Sequence, residues 1–272
     1  MFLTVGHRVS LNPIMSLKRL LKSVAWRILP HAGLELETPT GLRLRTRDKG
    51  EWASLSEIFV NRVYDEFFAE LTGIRGWVDL GCNVGFFSLA MENHLRAQGT
   101  PPDRTRALLV DANEECIGLC RDTLHLNGLT HWEARHAVLG PAGEVVTFHQ
   151  FRHSVHSGIF TRQRGEKVRR YATTPLANLL EQHPVPHDVI KIDIEGAEKC
   201  LLSQEGEILR RFRFGICEWH APEMTGAALR QFCSASGFEV FLLRSQPVDY
   251  DLRRGHSVDS PIGMMAWRNP RS

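Results

Sequence analysis

The sequence predicts an α/β protein whose core is a mostly parallel β-sheet with helices on both faces and an antiparallel C-terminal edge pair. Three observations lead there. From residue 74 onward, short apolar runs alternate with longer helical stretches, the pattern of strand–helix–strand units. The first two runs each end in an acid, and the first opens into a glycine-rich turn. The last two runs, 238–243 and 263–267, lie close enough in sequence to pair antiparallel.

The bulk properties agree. The chain has 272 residues, 43% hydrophobic and 24% charged, enough for a sizeable core and unlike collagen-like, low-complexity or disordered chains. A formal charge of +2 argues against a general nucleic-acid coat. No apolar run reaches the roughly 18 residues needed to cross a bilayer. Six cysteines, Cys82, Cys116, Cys120, Cys200, Cys217 and Cys233, include no CxxC pair, so free thiols and a cytoplasmic setting are expected.

Residues 1–49 read as an amphipathic helical extension and lead-in, and 50–272 as the domain proper. The first 34 residues contain no Asp or Glu but carry Arg8, Lys18, Arg19, Lys22 and Arg27. Leu17, Leu20, Leu21, Val24 and Ile28 recur at helical spacing before Pro30. Such a helix either docks on the domain, the preferred reading, or contacts a membrane surface through residues 14–29 or serves as a targeting segment.

Strands are expected at 76–80, 107–111, 188–193, 213–218, 238–243 and 263–267, with helices at 84–97, 113–127, 197–202 and 222–236. Residues 131–173 are less defined: strand-like 144–151 and 168–173 flank a polar stretch. Residues 152–170 hold six Arg or Lys and two His against Glu166 alone. That run is a solvated face, or a cover whose guanidinium groups hold an anionic group of a substrate. RNA is disfavoured, because the run has few aromatics for base stacking.

The chemistry begins at Asp79-Leu80-Gly81-Cys82-Asn83-Val84-Gly85. Glycine allows positive φ and close backbone approach to a ligand, and the helix that follows offers unpaired N–H groups. With Asn83 and Phe86 in place the dinucleotide pattern GxGxxG is incomplete, and no GxxxxGK[ST] occurs, so nicotinamide and nucleoside triphosphate readings lose weight. Asp111, ending the neighbouring strand, stands where a carboxylate accepts from both hydroxyls of a ribose.

These motifs resemble the class I S-adenosylmethionine-dependent methyltransferases. The segment Asp188-Val189-Ile190-Lys191-Ile192-Asp193-Ile194-Glu195-Gly196-Ala197-Glu198, with Cys217-Glu218-Trp219-His220, narrows the resemblance to the FkbM family over roughly residues 50–268. The resemblance implies a Rossmann-like sheet of seven strands, S-adenosyl-L-methionine as cofactor, and O-methylation of a sugar, glycolipid or polyketide-type acceptor. It implies that Asp79, Gly81, Asn83 and Gly85 line the methionine end of the cofactor, Asp111 its ribose, and the stretch around Ala137 its adenine.

Methyl transfer to an alcohol needs alignment and a proton acceptor. Asp193, Glu195, Glu218 and His220 should gather at the carboxyl ends of two strands, where open α/β sheets bind ligands. His220 is the preferred base, its ordinary pKa lying near neutrality, with Glu218 or Glu195 orienting it and an acid such as Asp193 or Glu195 the next choice. Glu198 reads as an acid in a first helical turn, and Lys191 as an ion-pair partner of Asp193 or Glu218. The same acids and imidazole could instead hold a divalent cation, although no compact motif such as HExxH is present, and the primary expectation assigns no metal ligand. Two further readings stay open: N-methylation of a protein or small molecule, and a non-catalytic cofactor-binding protein at a membrane surface. Oligomeric state is not addressed by the sequence.

Overall fold

Alternating burial organises the chain from the first long described stretch. The computed structural model describes residues 9–10, 33–150, 167–220, 223–246 and 262–271. The helix expected over 14–29 and residues 152–166 of the basic stretch lie outside the described residues. Strand β1 (Val9–Ser10) pairs parallel with β2 (Leu34–Glu37), which forms an antiparallel hairpin with β3 (Arg43–Thr46). Leu34, Leu36 and Leu44 point into the core, while Arg45 reaches Glu35 at 2.8 Å on the outer face. The sequence pattern marks this hairpin only as a lead-in.

Helix α1 (Lys49–Leu55) starts at Asp48, whose side chain accepts from the Glu51 N–H. It runs into a π-helical turn, Ser56–Val60, and then the short α2 (Asp65–Ala69). The strands β4 (Gly76–Leu80), β5 (Arg106–Asp111), β6 (Glu133–His136), β10 (Val189–Ile192), β11 (Phe214–His220), β12 (Glu239–Gln246) and β13 (Ile262–Arg268) form a seven-stranded sheet of order β12-β13-β11-β10-β4-β5-β6. Five of them run parallel. β13 enters antiparallel between β11 and β12. The C-terminal pair is therefore present, with β12 as the edge. β13 pairs with β11 along its length, Phe214↔Arg268 to His220↔Ile262, which carries β11 two residues beyond the expected end.

Adjacent residues of each strand serve opposite layers. Trp77, Ala107, Leu109 and Ile216 pack with α1, α2, α3 (Phe86–Ala97) and α4 (Glu114–Leu126). Val78, Leu108, Ile190 and Cys217 pack with α5 (Leu176–Gln182), α6 (Glu198–Leu209) and α7 (Gly226–Ser236). This is the two-sided burial that continuous apolar strands require. Helix α6 extends past its expected end, and Glu205, non-helical within it, accepts the N–H groups of Leu176 and Ala177 at the start of α5. Helix α7 begins at Gly226, later than expected, because Thr225 caps it. Strands β7 (Val138–Leu139), β8 (Val145–Gln150) and β9 (Lys167–Thr174) form a small separate sheet, β9 antiparallel to β8 and parallel to β7. All six cysteines are free thiols. Among the described residues no helix is long and apolar enough to cross a membrane.

Candidate active site

Strand order reverses at β4, which has β5 on one side and β10 on the other, and a cavity of about 440 Å³ opens at the carboxyl ends of these strands. Its floor is the turn after β4. The N–H groups of Gly81 and Cys82 both donate to the Val110 carbonyl, at 2.8 and 3.0 Å, tying the turn to β5. Gly81 has φ +74°, and a Cβ there would stand 1.6 Å from the Asp193 carbonyl oxygen, so the turns after β4 and β10 touch through a missing side chain. Asn83, at φ +49°, donates its N–H to Asp111 Oδ2 at 2.8 Å. Asp111 Oδ1 accepts from Asn113 at 2.7 Å. Burial raises the Asp111 pKa, and these two N–H groups oppose the rise.

Lys191 lies beneath the floor, its side chain 5% exposed. Its Nζ donates to the Gly81 carbonyl at 2.8 Å and stands 3.4 Å from Asp79 Oδ1 and 3.2 Å from Asp193 Oδ2. Burial alone would lower its pKa, but the charges of Asp193, Asp79 and Glu218 outweigh that and raise it. It remains an ammonium. Of the two partners expected for Lys191, Asp193 forms the ion pair, and Asp79 joins it.

The acidic end of the cavity comes from β10, β11 and the segment 49–69. Asp193 and Glu195 follow β10, while Glu218 and His220 end β11. All four line the cavity with Glu57 and Tyr64. The Tyr64 hydroxyl donates to Glu218 Oε1 at 2.5 Å. Burial, then the charges of Asp193 and Glu57, push Glu218 up to about 8, and burial with Asp193 pushes Glu195 up to about 7.

His220 is held from behind. Its Nδ1 lies 3.1 Å from Glu198 Oε1, and Glu198, fully buried, also accepts the N–H groups of Ile194 and Gly196 at 3.0 and 2.9 Å. Its Nε2 faces Glu195 Oε2 at 3.7 Å and Asp193 Oδ1 at 4.0 Å. Burial pulls the imidazole down, but the Glu198 hydrogen bond and the charges of Asp193 and Glu195 prevail and push it up to about 10. The ring therefore favours positive charge at neutral pH, which does not suit the expected part of proton acceptor.

Most of the expected site residues meet in this cavity: Gly81, Asn83, Asp111 and Ala137 on one side, with Asp193, Glu195, Glu218 and His220 on the other. Asp79 and Gly85, expected to line it, do not. Asp79 is fully buried, accepting from the Ser88 hydroxyl at 2.8 Å and facing Lys191, and so acts as a support. Gly85, at φ +89°, begins α3, and a Cβ there would meet the Cys120 sulfur at 3.2 Å. Glu57 and Tyr64 are additions that sequence reasoning does not anticipate. They belong to no spaced motif, and the only trace is an acid set in the run Ser56-Glu57-Ile58-Phe59-Val60. Glu198 is the helix-end acid that the sequence suggests, but it also aligns His220.

Comparison with known proteins gives one sequence match and several structural likenesses. The model of the methyltransferase FkbM domain matches residues 104–240, half of the chain. No curated protein matches. Solved structures with a similar chain path include the precorrin-6Y C5,15-methyltransferase of Geobacter metallireducens, with 11% identity, TM-score 0.44, and 76% of this chain and 88% of that chain covered. They also include an S-adenosylmethionine-dependent methyltransferase of Aquifex aeolicus, with 12% identity, TM-score 0.42, and coverage of 79% and 93%. A third, from Agrobacterium tumefaciens, has 9% identity, TM-score 0.45, and coverage of 87% and 70%. With the family match running from β5 through the acidic strand ends into β12, the chain belongs to the FkbM methyltransferases, class I enzymes that draw their methyl group from S-adenosylmethionine.

Proposed function

We propose that this enzyme methylates a hydroxyl group of a sugar, glycolipid or polyketide-type acceptor. The observation that carries the reading is the meeting, in one cavity, of the glycine-turn floor with a wall of carboxylates that can orient hydroxyls and take up a proton.

The residues present suit the cofactor. Gly81 leaves a cradle that any Cβ would fill, the buried Asn83 Oδ1 meets no partner among the described residues, and the Asp111 carboxylate ends β5 beside them. Gly81, Cys82 and Asn83 would hold the methionine end, Asp111 the ribose, and Ala137 with Val138 the adenine. Bound S-adenosylmethionine supplies an electrophilic methyl group on a sulfonium. The chain's own task is then to aim the acceptor oxygen and remove its proton. Glu218 serves as proton acceptor in its ionised form: at about 8 its pKa lies nearer neutrality than that of His220, and the Tyr64 hydroxyl fixes its Oε1. Asp193, anchored by Lys191, and Glu195 orient the acceptor. His220, the base expected from sequence, is fixed by Glu198 at the edge of this wall.

N-methylation is the second reading, favoured by the same carboxylates, which would attract an ammonium acceptor. The two separate by chemistry. Enzyme supplied with methyl-labelled S-adenosylmethionine and a metabolite extract should give labelled methyl ethers by mass spectrometry. Label found on nitrogen would overturn the hydroxyl assignment.

A further inference from the structure

Three side chains of the acidic wall are arranged in a way that proton acceptance does not require. Asp193 Oδ1, Glu195 Oε2 and His220 Nε2 come from two adjacent strand ends, and the ligand-capable atoms of these residues lie within 4.8 Å of one another. The two separations at Nε2, 3.7 and 4.0 Å, exceed a hydrogen bond. Atoms bound to one ion through bonds of about 2.1 Å stand roughly 3–4 Å apart, a range that both Nε2 separations meet, so His220 and each carboxylate are spaced for an ion between them.

Two of the three donors are also held from behind by groups outside the trio. Lys191 occupies Asp193 Oδ2 and leaves Oδ1 turned to the histidine. Glu198 occupies His220 Nδ1, so that Nε2, on a side chain only 18% exposed, is aimed into the cavity with no hydrogen-bond partner among the described residues. A carboxylate behind the far nitrogen of an imidazole is the usual support of a metal-binding histidine, because it fixes ring orientation and raises basicity at the other nitrogen. Glu198 is itself immobilised by two backbone N–H groups. The described lysines and arginines do not fill the gap: Lys191 is committed to Gly81, Asp79 and Asp193.

We propose that Asp193, Glu195 and His220 bind one divalent cation, of the kind that accepts two carboxylate oxygens and one imidazole nitrogen, such as Mn²⁺ or Mg²⁺. The ion replaces any proton on Nε2, which passes to solvent. Water completes its shell and, on the hydroxyl reading above, an acceptor oxygen displaces one such water. The cation site stands without that reading. Only the identity of the displacing group depends on it.

The test uses Mn²⁺ alone as probe, with the full chain titrated by electron paramagnetic resonance. Wild type should bind one Mn²⁺ per chain. Glu195→Gln and His220→Ala should weaken it at least about 100-fold, and Glu198→Gln by about 10–100-fold, as for other supports behind a ligand. Calorimetry with S-adenosylhomocysteine on the same samples reports the cofactor pocket, and circular dichroism reports folding. Equal Mn²⁺ affinity in wild type and in a folded Glu195→Gln would overturn the site, as would the absence of a stoichiometric site in wild type. Intact Mn²⁺ binding with no methyl ether formed would instead defeat the hydroxyl reading and leave the cation site standing.

Discussion

Replacing Gly81 by alanine tests the contact on which the cavity floor depends. Two costs arise. At φ +74° any side chain carries the left-handed penalty, roughly 1–2 kcal/mol. The added Cβ also falls 1.6 Å from the Asp193 carbonyl oxygen, where real Cβ atoms essentially never approach within 3.0 Å. The neighbour is backbone, tied by the Asp193 N–H to Leu80 at 3.0 Å, so relief means parting the turns after β4 and β10. Overpacking of this kind costs a further 1–3 kcal/mol or so, giving about 2–5 kcal/mol in all. Gly99 is the control: its φ is +89° but its Cβ would meet nothing within 4 Å, so Gly99→Ala carries the backbone penalty alone. Urea unfolding should place Gly81→Ala below Gly99→Ala by at least about 1 kcal/mol, and calorimetry should find S-adenosylmethionine binding lost in Gly81→Ala alone. Equal stability of the two variants, with cofactor affinity intact in both, would refute the close approach and the floor built on it.

Asp111→Ala should weaken S-adenosylmethionine binding by about 100-fold, since hydrogen bonds to a carboxylate contribute roughly 1.5–3 kcal/mol each, and calorimetry reads the change directly. Tyr64→Phe removes the hydroxyl that positions Glu218. It should lower kcat about tenfold or more while leaving the KM for S-adenosylmethionine unchanged, and a change confined to that KM would count against the positioning role. On the preferred reading, in which residues 14–29 dock on the domain, the full chain should stay in the soluble fraction of a flotation assay with anionic liposomes; flotation of the full chain but not of one lacking residues 1–30 would assign those residues to a membrane surface instead.

What can be read in advance divides along physical lines. The parallel strands are legible because each is buried on both faces, so Trp77-Val78, Leu108-Leu109 and Val189-Ile190 appear as unbroken apolar runs. The floor is legible because glycine and a strand-ending acid are demanded by local backbone geometry. The hairpin Leu34–Glu37 with Arg43–Thr46 escapes notice although it alternates with period two, because four-residue strands give too little repetition to stand out. Asp79 carries the motif's first acid yet never reaches the cavity. Sequence shows that an acid is needed there, not that its carboxylate turns inward to Ser88 and Lys191. Glu57 and Tyr64 escape sequence reasoning because their meeting with Glu218, 154 residues after Tyr64, exists only once the chain has folded.

The antiparallel entry of β13 bears on how such an enzyme changes partners. The chain leaves β12 at Gln246 and returns at Ile262, and both positions align with His220 at the rim of the cavity. Changes at the Ile262 end of β13 would reshape the rim while the parallel strands beneath, and the floor after β4, keep their registration. A fold wired this way separates the evolution of selectivity from the maintenance of chemistry.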